Sequence, residues 1–284
     1  MILIVCSHSV VLANNFSFST GTNFTSGKYG RATSTDIWYV PFTVRYRSNR
    51  SLFRVTIPYI SITGSRNIIG PGIGDVAVGN DFSANDGARV EKRTQSGLGD
   101  VIVAYTHNLI YHRASKTVFD ITGRIKIPTA SSARRLGSGQ VDYAVQGDLL
   151  KSISDFHLRA TFGYRILGNP SGVNFRNVFY GGTGVGYRLS SKSAIGTNFN
   201  IGQSTINLQD SRTLSAYYSH RLSNKVRLNV YGLSACQIAA LIGALALPYA
   251  TYFSEYYYLY PLLTSSHFLT TVPVTFTTNL SDNG

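Results

Sequence analysis

Charged side chains occur at every second position in several segments of this 284-residue sequence. In "TVFDITGRIKI", for example, Asp120, Arg124 and Lys126 alternate with the apolar Ile121 and Ile125. Because successive side chains of a β-strand point to opposite faces, each such strand has one apolar and one charged face. The charged faces carry eleven candidate functional residues, which are Arg45, Arg47, Arg54, Asp120, Arg124, Lys126, Asp142, Asp148, Arg159, Arg165 and Arg188.

Two kinds of chemistry fit this set of residues. If the charged faces line a confined channel, the excess of Arg and Lys over Asp focuses a positive field there and attracts anionic solutes such as aromatic carboxylates. Alternatively, Arg and Asp pair across neighbouring strands and fill the interior as a structural ladder. Both interpretations stay open at this stage, because the same side chains can take part in packing and in permeation.

Nucleophilic, metal and phosphate-binding chemistry is poorly supported by the sequence. Ser219 and His220 are adjacent in "YYSH" and would lie on opposite faces of a strand, so they cannot meet side to side. No cluster of His, Asp and Glu has metal-ligand spacing, and "GPGIGD" (70–75) lacks the following helix of a phosphate loop. We therefore predict no catalytic residue, no metal and no cofactor. The histidines of the predicted strands are far apart in the sequence, at His107, His112, His157 and His220.

The elements that must position the charged residues are long β-strands. Their connections alternate regularly between short and long, as in a transmembrane β-barrel with short periplasmic turns and longer extracellular loops. The period-two pattern predicts eleven strands, at 15–24, 36–47, 52–63, 98–112, 117–129, 140–151, 155–167, 178–190, 193–204, 212–222 and 225–234.

Composition and aromatic placement favour such a barrel over a soluble β-sandwich, which would show the same alternation. The chain has 19 Tyr, 15 Phe and 27 Gly but single Met and Trp residues, a strand-forming composition. Strands of ten or more residues suit a tilted span of the bilayer. Aromatic side chains near strand ends predict interfacial girdles, at Tyr46, Tyr105, Tyr111, Tyr164, Phe179, Tyr180, Tyr187, Tyr217 and Tyr218.

The net charge and the N-terminus bear on location. The charge of +13 comes from basic residues spread through the alternating segments rather than clustered, which argues against a nucleic-acid partner. Residues 1–13 end in an apolar run at Ala13 and predict a secretory signal peptide without a basic n-region; a first strand is the alternative. We expect the barrel to comprise residues 14–234, in the bacterial outer membrane, inserted by the barrel-assembly machinery.

Several stretches of the sequence resemble a known protein family. The chain is similar over about 28–205 to bacterial outer-membrane proteins of the phenol-degradation meta-pathway family, often called simply transporters. The resemblance implies an outer-membrane barrel and the uptake of small apolar or aromatic compounds, and the family has no catalytic motif to carry over. The stretches are "YGRATSTDIWYVPFTVRY" (29–46), "GLGDV" (97–101), "KIPTA" (126–130), "LGSGQVDYAV" (136–145), "FGYRILGNP" (162–170) and "YGGTGVGYRLSSKSAIG" (180–196).

The tail at 235–284 departs from that family. It begins "ACQIAALIGALALPYATYF" and has no Lys or Arg, whereas the family closes with a strand similar to S-D-S-S-P-D-W-G-x-G. Read from the third base of the Ala235 codon, the triplets across 236–247 allow Val or Leu followed by Ser-Asp-Ser-Ser-Pro-Asp-Trp-Gly-Ala-Gly-Ala. We therefore predict a one-base frameshift that displaces a twelfth strand; a short apolar helix broken by Pro248 is the alternative. The coding DNA distinguishes them.

The long connections carry a second set of cations and one unusually long segment. Outward-facing basic loops are expected to meet the phosphates of lipopolysaccharide at the membrane surface. The segment 65–97 is too long for a simple connector and predicts a lid or an inward-folded plug, with disorder as the alternative. The loop cations are Lys28, Arg31, Arg66, Arg89, Lys92, Arg93, Arg134, Arg135 and Arg176.

Together these features predict an all-β, up-and-down outer-membrane barrel with twelve intended strands, of which eleven precede the tail. Its expected function is passive passage of small, aromatic or anionic solutes. A non-conducting structural or adhesive barrel is the first alternative. An outer-membrane hydrolase is the second, because twelve-stranded phospholipases use a Ser with a His.

Overall fold

The structure, a computed structural model, is built from β-strands alone in the residues that it describes. These are 6–13, 15–27, 34–64, 68–69, 77–78, 92–170, 174–205, 210–221 and 227–235. Within them no helix is long and apolar enough to span a membrane. The strands are β1 (Cys6–Ala13), β2 (Phe16–Gly27), β3 (Thr35–Ser48), β4 (Ser51–Gly64), β5 (Ile68–Ile69), β6 (Ala77–Val78), β7 (Arg93–Leu98), β8 (Val101–His112), β9 (Thr117–Ile127), β10 (Asp142–Ile153), β11 (Phe156–Ile166), β12 (Val178–Arg188), β13 (Ser193–Gly202), β14 (Ser211–Arg221) and β15 (Arg227–Ala235).

One sheet contains all the long strands in an up-and-down order. Twelve strands follow one another as β1-β2-β3-β4-β8-β9-β10-β11-β12-β13-β14-β15, every neighbouring pair is antiparallel, and β7 pairs with the distal part of β4. The first and last strands, β1 and β15, approach each other. This is the topology of an up-and-down barrel, with short turns such as 49–50 and 154–155 at one end and longer loops such as 128–141 at the other. We call these the turn end and the loop end.

The polarity of the sheet is the reverse of that in a water-soluble protein. On β9, Lys126 is 1% exposed while its neighbours Ile125 and Ile127 are 43% and 42% exposed. The same holds on β11, where Phe162 is 63% exposed and Arg165 is 3% exposed. An apolar outer face over long strands is stable in lipid rather than in water. The prediction of a transmembrane barrel instead of a soluble sandwich is therefore confirmed.

The predicted strands are recovered within a few residues, but the count differs. All eleven are present, and the 98–112 prediction corresponds to β8; β7, apart from Leu98, lies in the 65–97 segment that was predicted to be a long connection. The twelfth strand of the row is β1, which pairs with β2. Cleavage after Ala13 is a processing event that the fold does not test, so the signal peptide stays a prediction. The tail that was predicted to be frameshifted lies outside the described residues, apart from Ala235 at the end of β15, so the frameshift stays a prediction.

The long segment after β4 contains regular structure in its described part. Ile68–Ile69 and Ala77–Val78 pair as β5 and β6 in a small separate sheet. They belong to the apolar stretch that was predicted to form a lid or plug. Further along the chain, β7 pairs with β4 at the loop end, where Thr63 Oγ1 and Thr94 Oγ1 are 2.9 Å apart. The remainder of 65–91, where the lid or plug prediction falls, lies outside the described residues.

Aromatic pairs mark both ends of the outer face. At the turn end, Phe16 and Tyr46 lie opposite each other with ring centroids 4.7 Å apart, and Phe24 and Trp38 do the same at the loop end at 4.9 Å. Such directly opposed aromatic pairs stabilise a sheet and suit the two membrane interfaces.

Three predicted girdle residues instead face the interior. Tyr180 and Tyr217 are 3% and 6% exposed, and Tyr111 packs against the buried pair Leu52 and Val118. The girdle prediction was wrong for these three because it used only their distance from a strand end. Which face a side chain lies on depends instead on the alternation along the strand, and these three alternate with the outward residues. The other six, Tyr46, Tyr105, Tyr164, Phe179, Tyr187 and Tyr218, are partly or largely exposed.

Candidate functional site: the barrel interior

The interior face of the sheet carries all eleven charged candidates. Nine of them are buried, at 8% exposure or less, and the remaining two, Arg47 and Arg188, are partly exposed. Asp120 and Asp148 are 0% exposed. A charged group is costly to bury unless it is paired, so the local partners decide how these side chains are tolerated. Their burial fixes the face on which they lie; whether they line a solute path stays a prediction.

A central network is organised around Asp148 on β10. Its Oδ1 accepts hydrogen bonds from Arg159 Nη2 at 2.9 Å and from Thr161 Oγ1 at 2.6 Å, both on β11. Its Oδ2 accepts one from Gln146 Nε2. In turn, Gln146 Oε1 accepts from Arg124 Nη2 at 2.7 Å. The network therefore crosses β9, β10 and β11: Arg159 bonds to the Asp148 carboxylate directly, and Arg124 is joined to it through the Gln146 amide.

Tyr180 extends this network to β12. Its hydroxyl donates to Gln146 Oε1 at 3.0 Å, and the Arg165 guanidinium lies 4.3 Å from the ring centroid. The ring lies over Gly163, the residue directly opposite on β11, where a β-carbon would collide with it. Glycine at 163 therefore gives Tyr180 the room to reach inward, and the cation–π contact holds Arg165 against the same ring.

A second charged cluster lies at the loop end of the interior. Lys126 Nζ is 2.7 Å from Asp142 Oδ2, 3.2 Å from Asp100 Oδ2 and 2.6 Å from Ser138 Oγ. The ammonium group is thus paired with two buried carboxylates and donates a hydrogen bond to the Ser138 hydroxyl. The same carboxylates bind main-chain donors, since the Ala130 amide donates to Asp100 and the Gly168 amide to Asp142. The cluster thus fastens the loop that follows β9 and the loop that follows β11 to the barrel wall.

Smaller polar contacts and apolar side chains fill other parts of the interior. Arg45 Nη1 donates to Ser19 Oγ at 2.7 Å, and Asn108 Nδ2 donates to Asp120 Oδ1 at 2.6 Å. Near the turn end, Leu52 and Val118 form a buried apolar pair. Polar and apolar contacts therefore also fill the interior along β2 to β4, β8 and β9.

The interior along β12 and β13 is different in character. Between Tyr180 and Arg188 its inward positions are small and uncharged, and Gly182, Gly184, Asn198 and Asn200 are only partly buried. On β14 the inward residues are Tyr217 and the smaller Thr213, Ser215 and Ser219, all of which are buried. The accessible part of the interior is thus bordered by glycine and asparagine rather than by arginine.

Sequence reasoning missed several residues that complete the site. Asp100, Gln146 and Tyr180 all join the charged networks, yet none was among the eleven candidates. Gln146 was recoverable, because it lies in step with Asp142 and Asp148 on one face of β10. Asp100 precedes β8 and its role depends on a loop contact, for which the sequence carries no periodic signal.

The structure also forms Ser–His pairs that adjacency in sequence did not reveal. Ser193 Oγ is 2.7 Å from His220 Nδ1, and Ser51 Oγ is 3.0 Å from His107 Nδ1, each pair across neighbouring strands. Ser219, beside His220, is instead buried on the inward face. In a catalytic triad a third group orients the other ring nitrogen; among the described residues no such group meets either imidazole, and none of them forms a metal-binding group of three.

The described loop cations are exposed, as surface residues of the loop end. Lys92 Nζ donates to Ser34 Oγ at 3.1 Å and Arg176 Nη2 donates to Ser204 O at 2.9 Å. Arg93, Arg134 and Arg135 are likewise exposed. The other four, Lys28, Arg31, Arg66 and Arg89, lie outside the described residues, and contact of this set with lipopolysaccharide stays a prediction.

Among solved structures, the chain is similar to an outer membrane channel from Pseudomonas putida F1. The match covers 86% of this chain and 89% of that one, with a TM-score of 0.51 and 12% sequence identity. At this identity the likeness shows the fold, which is that of an outer-membrane barrel. No family profile and no curated protein sequence matches the chain. The resemblance to the phenol-degradation meta-pathway family therefore stays a prediction.

Proposed function

We propose that this protein is a passive channel for small solutes in the bacterial outer membrane. The observation that carries the proposal is the reversed polarity of the sheet, with an apolar outer wall and a polar interior that stays partly accessible along β12 and β13. A polar interior inside a lipid-facing wall is the arrangement of an aqueous pore. The fold likeness to an outer membrane channel supports the same function.

The proposed solutes are small and aromatic or anionic. Among the buried interior side chains there are six Lys or Arg residues and four Asp residues, an excess of two positive charges. Because most of these charges are paired, the field inside the barrel favours anions only modestly. The aromatic preference rests on the family resemblance alone.

A second function is favoured by the central network. Asp148, Arg159, Gln146 and Arg124 are all buried and mutually hydrogen-bonded, so they occupy interior space that a solute would need. A barrel filled in this way is a structural or adhesive protein that does not conduct. The two functions differ in whether the space along β12 and β13 runs through the whole barrel.

Reconstitution of the chain in planar bilayers and in liposomes distinguishes them. We expect small single-channel conductance and faster liposome uptake of benzoate than of benzylammonium, which has the same ring and the opposite charge. Absence of both conductance and solute flux would reject the channel and leave the non-conducting barrel. Equal rates for the two probes would reject the anion preference but keep the channel.

A hydrolase would need further properties. The Ser51–His107 and Ser193–His220 pairs contain a nucleophile and a base, but each lies on the outer face near the turn end. Release of fatty acid from phospholipid vesicles that disappears in Ser193→Ala or Ser51→Ala would establish that activity. We expect no release from the unaltered chain.

A further inference from the structure

A compact polar cluster interrupts the apolar outer wall near the turn end. Ser51 Oγ lies 3.0 Å from Tyr105 Oη and 3.0 Å from His107 Nδ1. The Tyr105 and His107 rings are stacked, with centroids 6.3 Å apart. Arg50, in the turn that precedes β4, is exposed and adjacent to Ser51 in sequence. We call Arg50, Ser51, Tyr105 and His107 the Ser51 cluster.

The Ser51 cluster offers hydrogen-bond donors in either protonation state of its histidine. When His107 is neutral and Nδ1 accepts from the Ser51 hydroxyl, the ring proton is on Nε2, for which no partner lies within the described residues. When His107 is protonated, Nδ1 donates to Ser51 and the serine hydroxyl is free to donate elsewhere. Arg50 adds a permanent positive charge. This set of donors matches an anion such as a phosphate.

An apolar crevice in the same outer wall continues from Tyr105 toward the loop end. Its volume is about 400 Å³, within the range of about 300–1,000 Å³ for pockets that hold small molecules. Its floor includes Gly123, which lies directly opposite Tyr105, and no heavy atom lies within 4 Å of where a β-carbon would be. The crevice is bordered by Tyr105, Ile125, Tyr143, Val145, Tyr164 and Ile166.

We propose that the Ser51 cluster and this crevice together bind one glycerophospholipid of the periplasmic leaflet. The phosphate accepts hydrogen bonds from Ser51 or His107 and pairs with Arg50, while one acyl chain lies in the crevice over Gly123. The direction is consistent with the topology, because Ser51 begins β4 beside the short 49–50 turn, and the crevice begins at Tyr105 and continues across the middle of the wall toward the loop end. A headgroup at the periplasmic surface and a tail toward the midplane follow.

The polar half of this site occurs a second time. Ser193 and His220 face each other across β13 and β14, Tyr218 stacks on His220, and Lys192 precedes Ser193 as Arg50 precedes Ser51. Two copies of one arrangement, both on the outer face beside a basic turn, argue for a role at the membrane surface rather than a single catalytic centre. The crevice distinguishes the Ser51 cluster as the place where the acyl chain is also held.

Native mass spectrometry of the full chain, with phosphatidylglycerol added in detergent, tests the proposal. We expect one tightly retained phosphatidylglycerol, and about tenfold weaker retention in His107→Phe and in Gly123→Leu. The first variant removes a charge-assisted hydrogen bond and the second fills the crevice, and a loss near 1.4 kcal/mol is tenfold in affinity. Gly123→Leu has space for its side chain, so it reports on binding if His107→Phe folds poorly.

The controls test whether binding requires the phosphate, which leaflet supplies the lipid and whether the site lies on the outer face of the barrel. Ser152→Ala removes a Ser–His bond of similar length, 2.9 Å to His157, on the inward face, and should leave retention unchanged. Diacylglycerol, which lacks the phosphate, should not be retained. Equal retention by His107→Phe, Gly123→Leu and the unaltered chain overturns the proposal, and so does preferential retention of lipid A, whose phosphates belong to the opposite leaflet.

Discussion

The strands β9 to β11 and the strands β13 and β14 belong to one sheet, but their inward-facing side chains differ in size and charge. The first group projects large charged side chains such as Arg124, Lys126 and Arg159, each fixed to an acceptor. The second projects Asn198, Ser215 and other small neutral groups, together with the larger Tyr217. In a closed barrel of this strand order, β9 to β11 lie across from β15, β1 and β2, whereas β13 and β14 lie across from β4 and β8. The two groups are therefore neighbours along the wall, separated by β12.

The comparison teaches that one sequence pattern serves two purposes. Alternation of apolar and polar residues is equally regular on both sides, and both outer faces are apolar. What differs is whether the inward residue needs a partner. A buried charge must be paired and so becomes part of the packing, whereas a glycine or serine leaves space at little energetic cost. We call the two surfaces the charged wall and the small-residue wall.

The largest expected effect is loss of stability when the loop-end cluster of the charged wall loses its cation. Lys126→Met keeps the length of the side chain but leaves the carboxylates of Asp100 and Asp142 buried without their ammonium. Breaking a buried pair costs about 3–5 kcal/mol. The free energy of unfolding in urea, measured in lipid vesicles, should fall by this amount. Lys151→Ala, at a partly exposed position, should change it by about 1 kcal/mol or less; comparable losses would contradict the assignment.

Asp148→Ala should have the next largest effect, about 3 kcal/mol, because Arg159 and Thr161 lose their shared acceptor. If the central network also obstructs the interior, conductance should rise in the same variant. Asp155→Ala is the matched control, since Asp155 pairs with Arg188 at the turn end and its side chain is 43% exposed. A loss in the control as large as that in Asp148→Ala would mean that burial does not set the cost.

On the small-residue wall, an added bulky side chain should act on permeation. Asn200→Trp places an indole in the accessible part of the interior and should lower the single-channel conductance to about half or less. Phe199→Trp puts the same side chain on the lipid-facing side, where Phe199 is 40% exposed, and should leave conductance unchanged. Equal conductance in both variants would show that the conducting path does not run along β12 and β13.

The smallest effect is expected for truncation within the small-residue wall. Ser215→Ala removes only long contacts, 3.5 Å from Asn198 Nδ2 and 3.5 Å from Asn198 O. The unfolding free energy should change by about 1 kcal/mol or less. A loss as large as that in Asp148→Ala would show that the two walls do not differ in the way described.

Much of the fold was predictable from the sequence because it is local. The period-two pattern of "TVFDITGRIKI" assigns a face to each residue of β9, and the long and short connections order the strands. The partners of the charged residues were not predictable. Lys126 meets Asp100 and Ser138 through the register of β8 with β9 and the path of a loop. The Ser193–His220 pair depends likewise on the β13–β14 register, which no single stretch of sequence specifies.

The place of β1 in the strand order links two predictions made separately. Without β1 the row has eleven strands, and bacterial single-chain barrels have an even number. An added strand after β15 would run antiparallel to both β15 and β2, in the same direction as β1, so both candidates would occupy a single vacancy. Removal of a signal peptide after Ala13 therefore requires a replacement strand, and retention of β1 leaves no room for one. N-terminal sequencing of the mature protein therefore also tests whether a further strand is needed after β15.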